Sequence, residues 1–308
     1  MAASNCRPFL QRVKSSIAER FGLKDLGPIT KYLGMQFECA NRTRRIIWVH
    51  QSEYISFLLQ EYRLSDCSPV HLPADLKAIF GPAETSYLEV TNLRSVYLKI
   101  ISELIYLAVN TRPDISYIVN TLAQHNTQPE TRHYAAAKHV LRYLAGTLDL
   151  HLRYQSDTDD KRLFTYADAS WANESGCQSI SGYAWYYARG LVSHVSKKQP
   201  TVALSSTKAE YITSTHVIQE GLWLHSLLAE LNIPFVSPVP LYLDNSGAIT
   251  LSTAAKFHQR TKHIDIRYHF IRFHIDNRSF LLIWVPSHRN IADILTKALP
   301  RRQEHGFG

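Results

Sequence analysis

Leu163-Phe164-Thr165-Tyr166-Ala167-Asp168 is the stretch from which the fold can be read. It is apolar and aromatic, free of glycine and proline, and ends on an acid, which reads as a buried strand emerging at a carboxylate. Downstream, Gly182–Tyr187 and Leu191–Val195 read as a hairpin around Ala188-Arg189-Gly190. A long helix starts near Thr207 and runs to Leu231. Leu241-Tyr242-Leu243-Asp244 is a short buried strand, followed by a helix from Ser246 and another over Ile264–Ile275. Phe280–Val285 reads as a strand, and a last helix starts near Asn290. The order βββαβααβα predicts a mixed sheet with helices packed on it, an α/β unit in a chain that is α+β overall.

Upstream, the polar run Gln155–Lys161 marks the best domain boundary. Before it lies a helical block over residues 93–146. Its first helix spans about Leu93–Val109, and Thr111-Arg112-Pro113-Asp114 interrupts the block because proline pushes its predecessor out of the helical region. A second helix starts near Asp114 and a third near Pro129. The third carries Tyr134, Ala137, Val140, Leu141 and Leu144 on one face and stops at Gly146. Residues 65–91 hold three prolines and a glycine without sustained period and read as a loop. Val13–Phe21 and Ser52–Tyr62 read as helices. Tyr32–Glu38 and Ile46–Val49 read as strands, the first with an exposed edge prone to association.

Composition narrows the class. The 308 residues suffice for two domains. There is no apolar run long enough to span a bilayer and no secretory h-region after Met1, so an intracellular chain, in cytoplasm or nucleus, is expected. Cys6, Cys39, Cys67 and Cys177 have neither metal-ligand nor redox spacing. The net charge is +8, and residues 256–302 hold ten Lys and Arg against three Asp. Such a basic stripe suits a polyanion such as nucleic acid, though solvated surface is the plain reading. His263, His269 and His274 are not spaced to share a helical face as zinc ligands and read as packing and charge.

Four acids follow in order: Asp168, Glu210, Asp244 and Asp293. Each has an ordinary explanation. Asp168 can be an exposed strand end. Glu210 completes Thr207-Lys208-Ala209-Glu210, which matches a capping box, and taken alone the cap is the stronger reading. Asp244 can open a turn or cap a helix, and Asp293 can complement a helix dipole. The alternative is that acids from separate elements converge on two divalent ions roughly 3.5–4 Å apart, an arrangement used in phosphodiester cleavage.

Several segments resemble the C-terminal part of a copia-type retrotransposon Pol polyprotein. They are Thr165–Ala172, Ser196–Gln199 with Val202–Tyr211, Leu243–Ile249, Arg260–Phe270 and Ala292–Lys297. They cover about residues 160–300, in order, and resemble an RNase H domain. In the first half, Leu23–Gly27, Tyr32–Met35, Thr111–Ile115 and Ala136–Leu144 are similar to the region after a reverse transcriptase active site. The resemblance implies an RNase H-like mixed sheet with flanking helices over 160–300. Before it would stand a partial reverse transcriptase over 1–155: palm end 1–64, loop 65–92, helical thumb and connection 93–152. No Tyr-x-Asp-Asp turn is present, so polymerisation is not expected.

The same resemblance implies that Asp168, Glu210, Asp244 and Asp293 bind two Mg²⁺ ions, with Mn²⁺ as an alternative, and hydrolyse the RNA strand of an RNA–DNA hybrid. Asp168 would be the central ligand. His288, in Pro286-Ser287-His288-Arg289, would assist product release as a mobile histidine does in some RNase H enzymes; an exposed loop histidine is the plain reading. Lys197, Lys198, Lys262 and Arg267 are candidate phosphate contacts. No membrane partner is expected. The chain departs from the family at Ser170, which stands where a second acid is usual, at Asn173-Glu174, at His194-Val195 and at Ser102-Glu103, where an acid on an apolar helix face would loosen packing. These departures keep a second reading open, a catalytically silent nucleic-acid-binding remnant. An integrase-like nuclease on the same fold would place its Glu last, and here Glu210 is second.

Overall fold

A computed structural model describes residues 7–22, 24–41, 46–74, 90–155, 160–171, 178–253 and 262–298. The sheet announced by residues 163–168 has five strands: β5 (Leu163–Ser170), β6 (Ile180–Tyr187), β7 (Gly190–Lys198), β8 (Val239–Leu243) and β9 (Phe280–Trp284), in the spatial order β7-β6-β5-β8-β9. The first three run as antiparallel neighbours, while β8 lies parallel to β5 and β9 parallel to β8. This is the mixed sheet expected from the sequence.

Alternation along β5 divides the sheet into two faces. Leu163 and Ala167 enter a core with Tyr183, Trp185, Val217, Ile218, Leu224, Leu241, Leu243, Tyr268 and Ile271, closed by two long helices of the second half. A further helix, Ser246–Thr253, follows β8. The opposite face carries Phe164 and Tyr166 against Ala184, Tyr186, Leu191 and Leu295, and there the first half of the chain docks.

That first half has its own four-stranded antiparallel sheet. Its strands are β1 (Lys31–Tyr32), β2 (Met35–Asn41), β3 (Ile46–His50) and β4 (Leu152–Gln155). In chain order the helices are α1 (Arg7–Phe21), α2 (Ser52–Glu61), α3 (Val90–Asn110), α4 (Ser116–Ala123), α5 (Thr131–Ala145), α6 (Ser206–Glu230), α7 (Ser246–Thr253) and α8 (Lys262–Asp276). Helices α2, α3, α4 and α5 share a core built on Leu58, Ile100, Leu104, Leu107, Ile118, Val140 and Leu144. Glu103, expected to loosen α3, accepts a hydrogen bond from the Tyr62 hydroxyl at 2.6 Å and is half-buried without disrupting the face.

Three expectations need correction. Tyr32–Glu38 is a hairpin, not one strand: Leu33 and Gly34 take positive φ of 48° and 69°, the turn that matches the strand twist. β2 is therefore flanked on both sides, although its outer neighbour is only two residues long. Leu152–Gln155, to which the sequence assigned no element, is a strand that pairs with β3 across the helical block. The last helix is two short 3₁₀ turns, Ser287–Arg289 and Ile291–Leu295. Much of the expected loop 65–92, residues 75–89, lies outside the described residues.

The halves meet along edge strand β7. Asn120 Nδ2 donates to the Ser196 carbonyl at 3.0 Å, Lys198 Nζ reaches Gln124 Oε1 at 2.6 Å, and the Tyr154 hydroxyl donates to the Leu191 carbonyl at 2.7 Å. The His194 ring nitrogen Nε2 stands 2.9 Å from the Ala108 carbonyl. The Asn120 and Tyr154 contacts satisfy two backbone carbonyls that an edge strand otherwise leaves open.

Candidate metal centre

The carboxyl ends of β5 and β8 lie side by side in parallel pairing, and each ends on or beside an acid. Asp168 sits near the end of β5, buried at 4 % exposure. Asp244 follows the last residue of β8 and is half-buried. Helix α6 is capped by Ser205, whose side chain accepts from the Lys208 N–H. Glu210 is therefore free of the capping duty that the sequence alone favoured. It turns towards the sheet, is 3 % exposed, and accepts a hydrogen bond from the Ala169 N–H at 3.0 Å through Oε1. Its Oε2 is buried with no hydrogen-bond partner among the described residues.

Asp168, Glu210 and Asp244 form a group whose ligand oxygens all lie within 4.8 Å of one another. Burial pushes the Glu210 carboxyl well above its ordinary range, and the charges of Asp168 and Asp244 push it further. Asp168 is raised for the same first reason, with the neighbouring Lys297 and Thr296 working against the shift. Three ionised acids held this close are unfavourable without a cation, and one oxygen of the group, Glu210 Oε2, has no hydrogen-bond partner among the described residues. The donor set is all oxygen, which suits a hard divalent ion such as Mg²⁺.

Asp293 arrives on the face of the sheet opposite α6, the face to which Asp168 also points. The Ile291–Leu295 turn is anchored by Asn290, whose amide donates to the Ala167 carbonyl at 2.9 Å and whose Oδ1 accepts from the Ala292 N–H. Asp293 is buried, and burial together with the Asp168 charge raises its pKa to about 7. It is not part of the three-acid group among the described residues. Its Oδ2 instead pairs with Lys297 Nζ at 2.8 Å, and the same ammonium lies 3.9 Å from Asp168 Oδ2. The Thr296 hydroxyl donates to that Asp168 oxygen. Thr296 and Lys297 were not singled out from the sequence. Their positions three and four residues after Asp293 were the available signal.

Of the other candidates, His288 is exposed on the Ser287–Arg289 turn just before Asn290. Lys197 is exposed at the end of β7 and lines a cavity of about 430 Å³ with Tyr183, Gln199, His216 and Glu220. Burial depresses the His216 pKa, helped by the positive charges of Arg267 and Lys197, so both basic residues act on this ring. Lys198 lines the same cavity and also reaches Gln124 of the helical block. The Lys262 side chain lies outside the described residues.

The Pol polyprotein from transposon TNT 1-94 of Nicotiana tabacum, described as retrovirus-related, is 36 % identical over 298 residues. That alignment takes in 96 % of this chain and 22 % of the polyprotein. A putative transposon Ty5-1 protein of Saccharomyces cerevisiae is 30 % identical over 212 residues, 68 % of this chain and 67 % of that protein. The chain belongs to the copia-type retrotransposon Pol polyprotein family. No protein-family model matches it. It spans about a fifth of the length of the Pol polyproteins that it matches. Among solved structures, an RNase H1 isolated from compost by a metagenomic approach covers 44 % of this chain and 93 % of its own, at 14 % identity and a TM-score of 0.35. The sheet order and the helices flanking it make residues 163–298 of this Pol chain RNase H-like in fold. Among the described residues no helix is long and apolar enough to cross a membrane.

Proposed function

We propose that the chain is a metal-dependent RNase H-type endonuclease that hydrolyses the RNA strand of RNA–DNA hybrids. The observation that carries this reading is the convergence of Asp168, Glu210 and Asp244 from two strand ends and a helix, with Glu210 Oε2 left unpartnered. A divalent ion held there, Mg²⁺ or Mn²⁺, would activate the attacking water and stabilise charge on the phosphate. Asp168 serves as the central ligand and Glu210 and Asp244 flank it. Asp293 closes the site from the face opposite α6 and fixes Lys297. Lys197 and Arg267 supply positive potential around His216 of α6, beside the cavity that Lys197 lines, where a nucleic-acid backbone can be positioned without its sequence being read. Lys198 and Lys262 are further candidates for backbone contact, and exposed His288 is the candidate for product release. Residues 1–155 correspond in this proposal to reverse transcriptase palm, thumb and connection.

The test is cleavage of a strand-labelled RNA–DNA hybrid by the full chain with Mg²⁺, beside an Asp168→Asn, Asp244→Asn double variant. Cutting of the RNA strand by the unaltered chain alone is the expected result. Binding of the hybrid that weakens as salt rises, with no cutting, would overturn the nuclease and favour a silent nucleic-acid-binding remnant.

A further inference from the structure

The fourth acid holds a cation that belongs to the chain. Lys297 Nζ lies 2.8 Å from Asp293 Oδ2 and 3.9 Å from Asp168 Oδ2, so one ammonium serves two buried carboxylates on the sheet face where its turn packs. Asp168 and Asp293 are each 4 % exposed. Two carboxylates that deep can both stay ionised only with a cation beside them. In the two-ion arrangement that the family resemblance implies, Asp168 and Asp293 would hold the second ion between them. Lys297 fills that place with a compact point charge carrying three donors.

The lysine is held in place. Its neighbour Thr296 hydrogen-bonds to Asp168. The turn that carries both residues is pressed on β6 at Gly182, where an added Cβ would come within 2.5 Å of Thr296 and 2.8 Å of Leu295. The lysine also lines a cavity of about 20 Å³ with Ile294 and, from the helical block, Asp114, Tyr117 and Ile118. Asp114 does not draw the ammonium away, because Arg112 already pairs with it at 2.6 Å.

We infer that Lys297 is the resident second cation of the centre: one divalent ion binds at Asp168, Glu210 and Asp244, and Lys297 occupies the position between Asp168 and Asp293 that a second ion would take. The inference deepens the nuclease reading and rests on it for the purpose of the site. Lys297 is on this account a positioning and charge-balancing residue.

The experiment counts Mn²⁺ bound to the full chain by electron paramagnetic resonance, which also reports whether two ions are close enough to couple. The unaltered chain is expected to bind one isolated ion. Lys297→Met is expected to bind two coupled ions, and Lys297→Met with Asp293→Asn to return to one. Lys297→Arg, which keeps the charge, should stay at one. A coupled pair in the unaltered chain, or a single ion in a folded Lys297→Met, overturns the inference. The nuclease reading fails separately. A hybrid left uncut while the count changes from one to two sinks the nuclease and leaves Lys297 standing, and cleavage with an unchanged count does the reverse.

Discussion

Glu210 shows how a single residue can be misread locally and recovered from its company. Its spacing from Thr207 fits a helix cap, yet Ser205 performs that task and Glu210 reaches β5 instead. No local rule separates the two outcomes, because the deciding partner, Ala169, is 41 residues away. The order of four acids carried the information that the local motif lacked. Burial and the neighbouring acids hold the Glu210 carboxyl above its ordinary range. The fold therefore favours its protonated form, and the associated stability is present below the unfolded value and lost as pH rises through the folded one. Glu210→Gln keeps an acceptor for Ala169 and removes the charge. We expect it to raise the stability of ion-free protein at neutral pH by on the order of 1–3 kcal/mol while abolishing cleavage. Thermal melts should show the gap between the two proteins closing as the pH falls towards 4. Gly182 makes the converse case. An added methyl would drive into Thr296 and Leu295, so Gly182→Ala should cost about 1–3 kcal/mol in denaturant titration and lower cleavage by displacing Asp293 and Lys297.

At the scale of elements, strands with strong periodicity and helices with clear ends were legible. Residues 163–168, the Ala188-Arg189 hairpin and the long helix ending near Leu231 all formed where the sequence placed them. The misses have one physical origin, which is pairing that only tertiary structure supplies. Leu152–Gln155 is too short to declare itself and becomes a strand because β3 is waiting beside it. The hairpin at Leu33-Gly34 hides in a run that otherwise looks continuous, and its turn is tied down by the Tyr106 hydroxyl, which donates to the Leu33 carbonyl. Helix α5 carries an unread capping device. His133 Nδ1 accepts from the Glu130 N–H at 3.0 Å, which requires the neutral ring. Burial, with the adjacent His125, depresses its pKa to about 4. A depressed folded pKa means stability that is complete above the unfolded value of about 6.5 and lost as pH falls towards 4. Circular dichroism should show the helical block weakening across that window, and His133→Gln, which retains an acceptor, should remove much of the acid sensitivity.

At the scale of the whole molecule, the two halves share a core. Val49 and Leu152 from the first pack with Ala184, Tyr186, Leu191 and Leu295 from the second. The sequence separated these halves at its most polar stretch, and composition alone could not show that an aromatic sheet face beyond it needed covering. A fragment of residues 160–298 would expose Tyr186 and Leu191, at a cost on the order of 3 kcal/mol or more. We expect its urea midpoint to fall below that of the same region in the full chain. Burial holds the His194 ring at this junction below its ordinary pKa. Docking should therefore be complete above pH 6.5 and loosen as the pH drops below it. Docking also steadies the turn that carries Asp293 and Lys297, so the helical block supports the site without contributing a ligand. The most direct test of the central claim is an anomalous difference map from crystals of the full chain grown with Mn²⁺. A single peak enclosed by Asp168, Glu210 and Asp244 is the predicted result. An absence of density there, with Mn²⁺ bound elsewhere on the chain, would contradict the account.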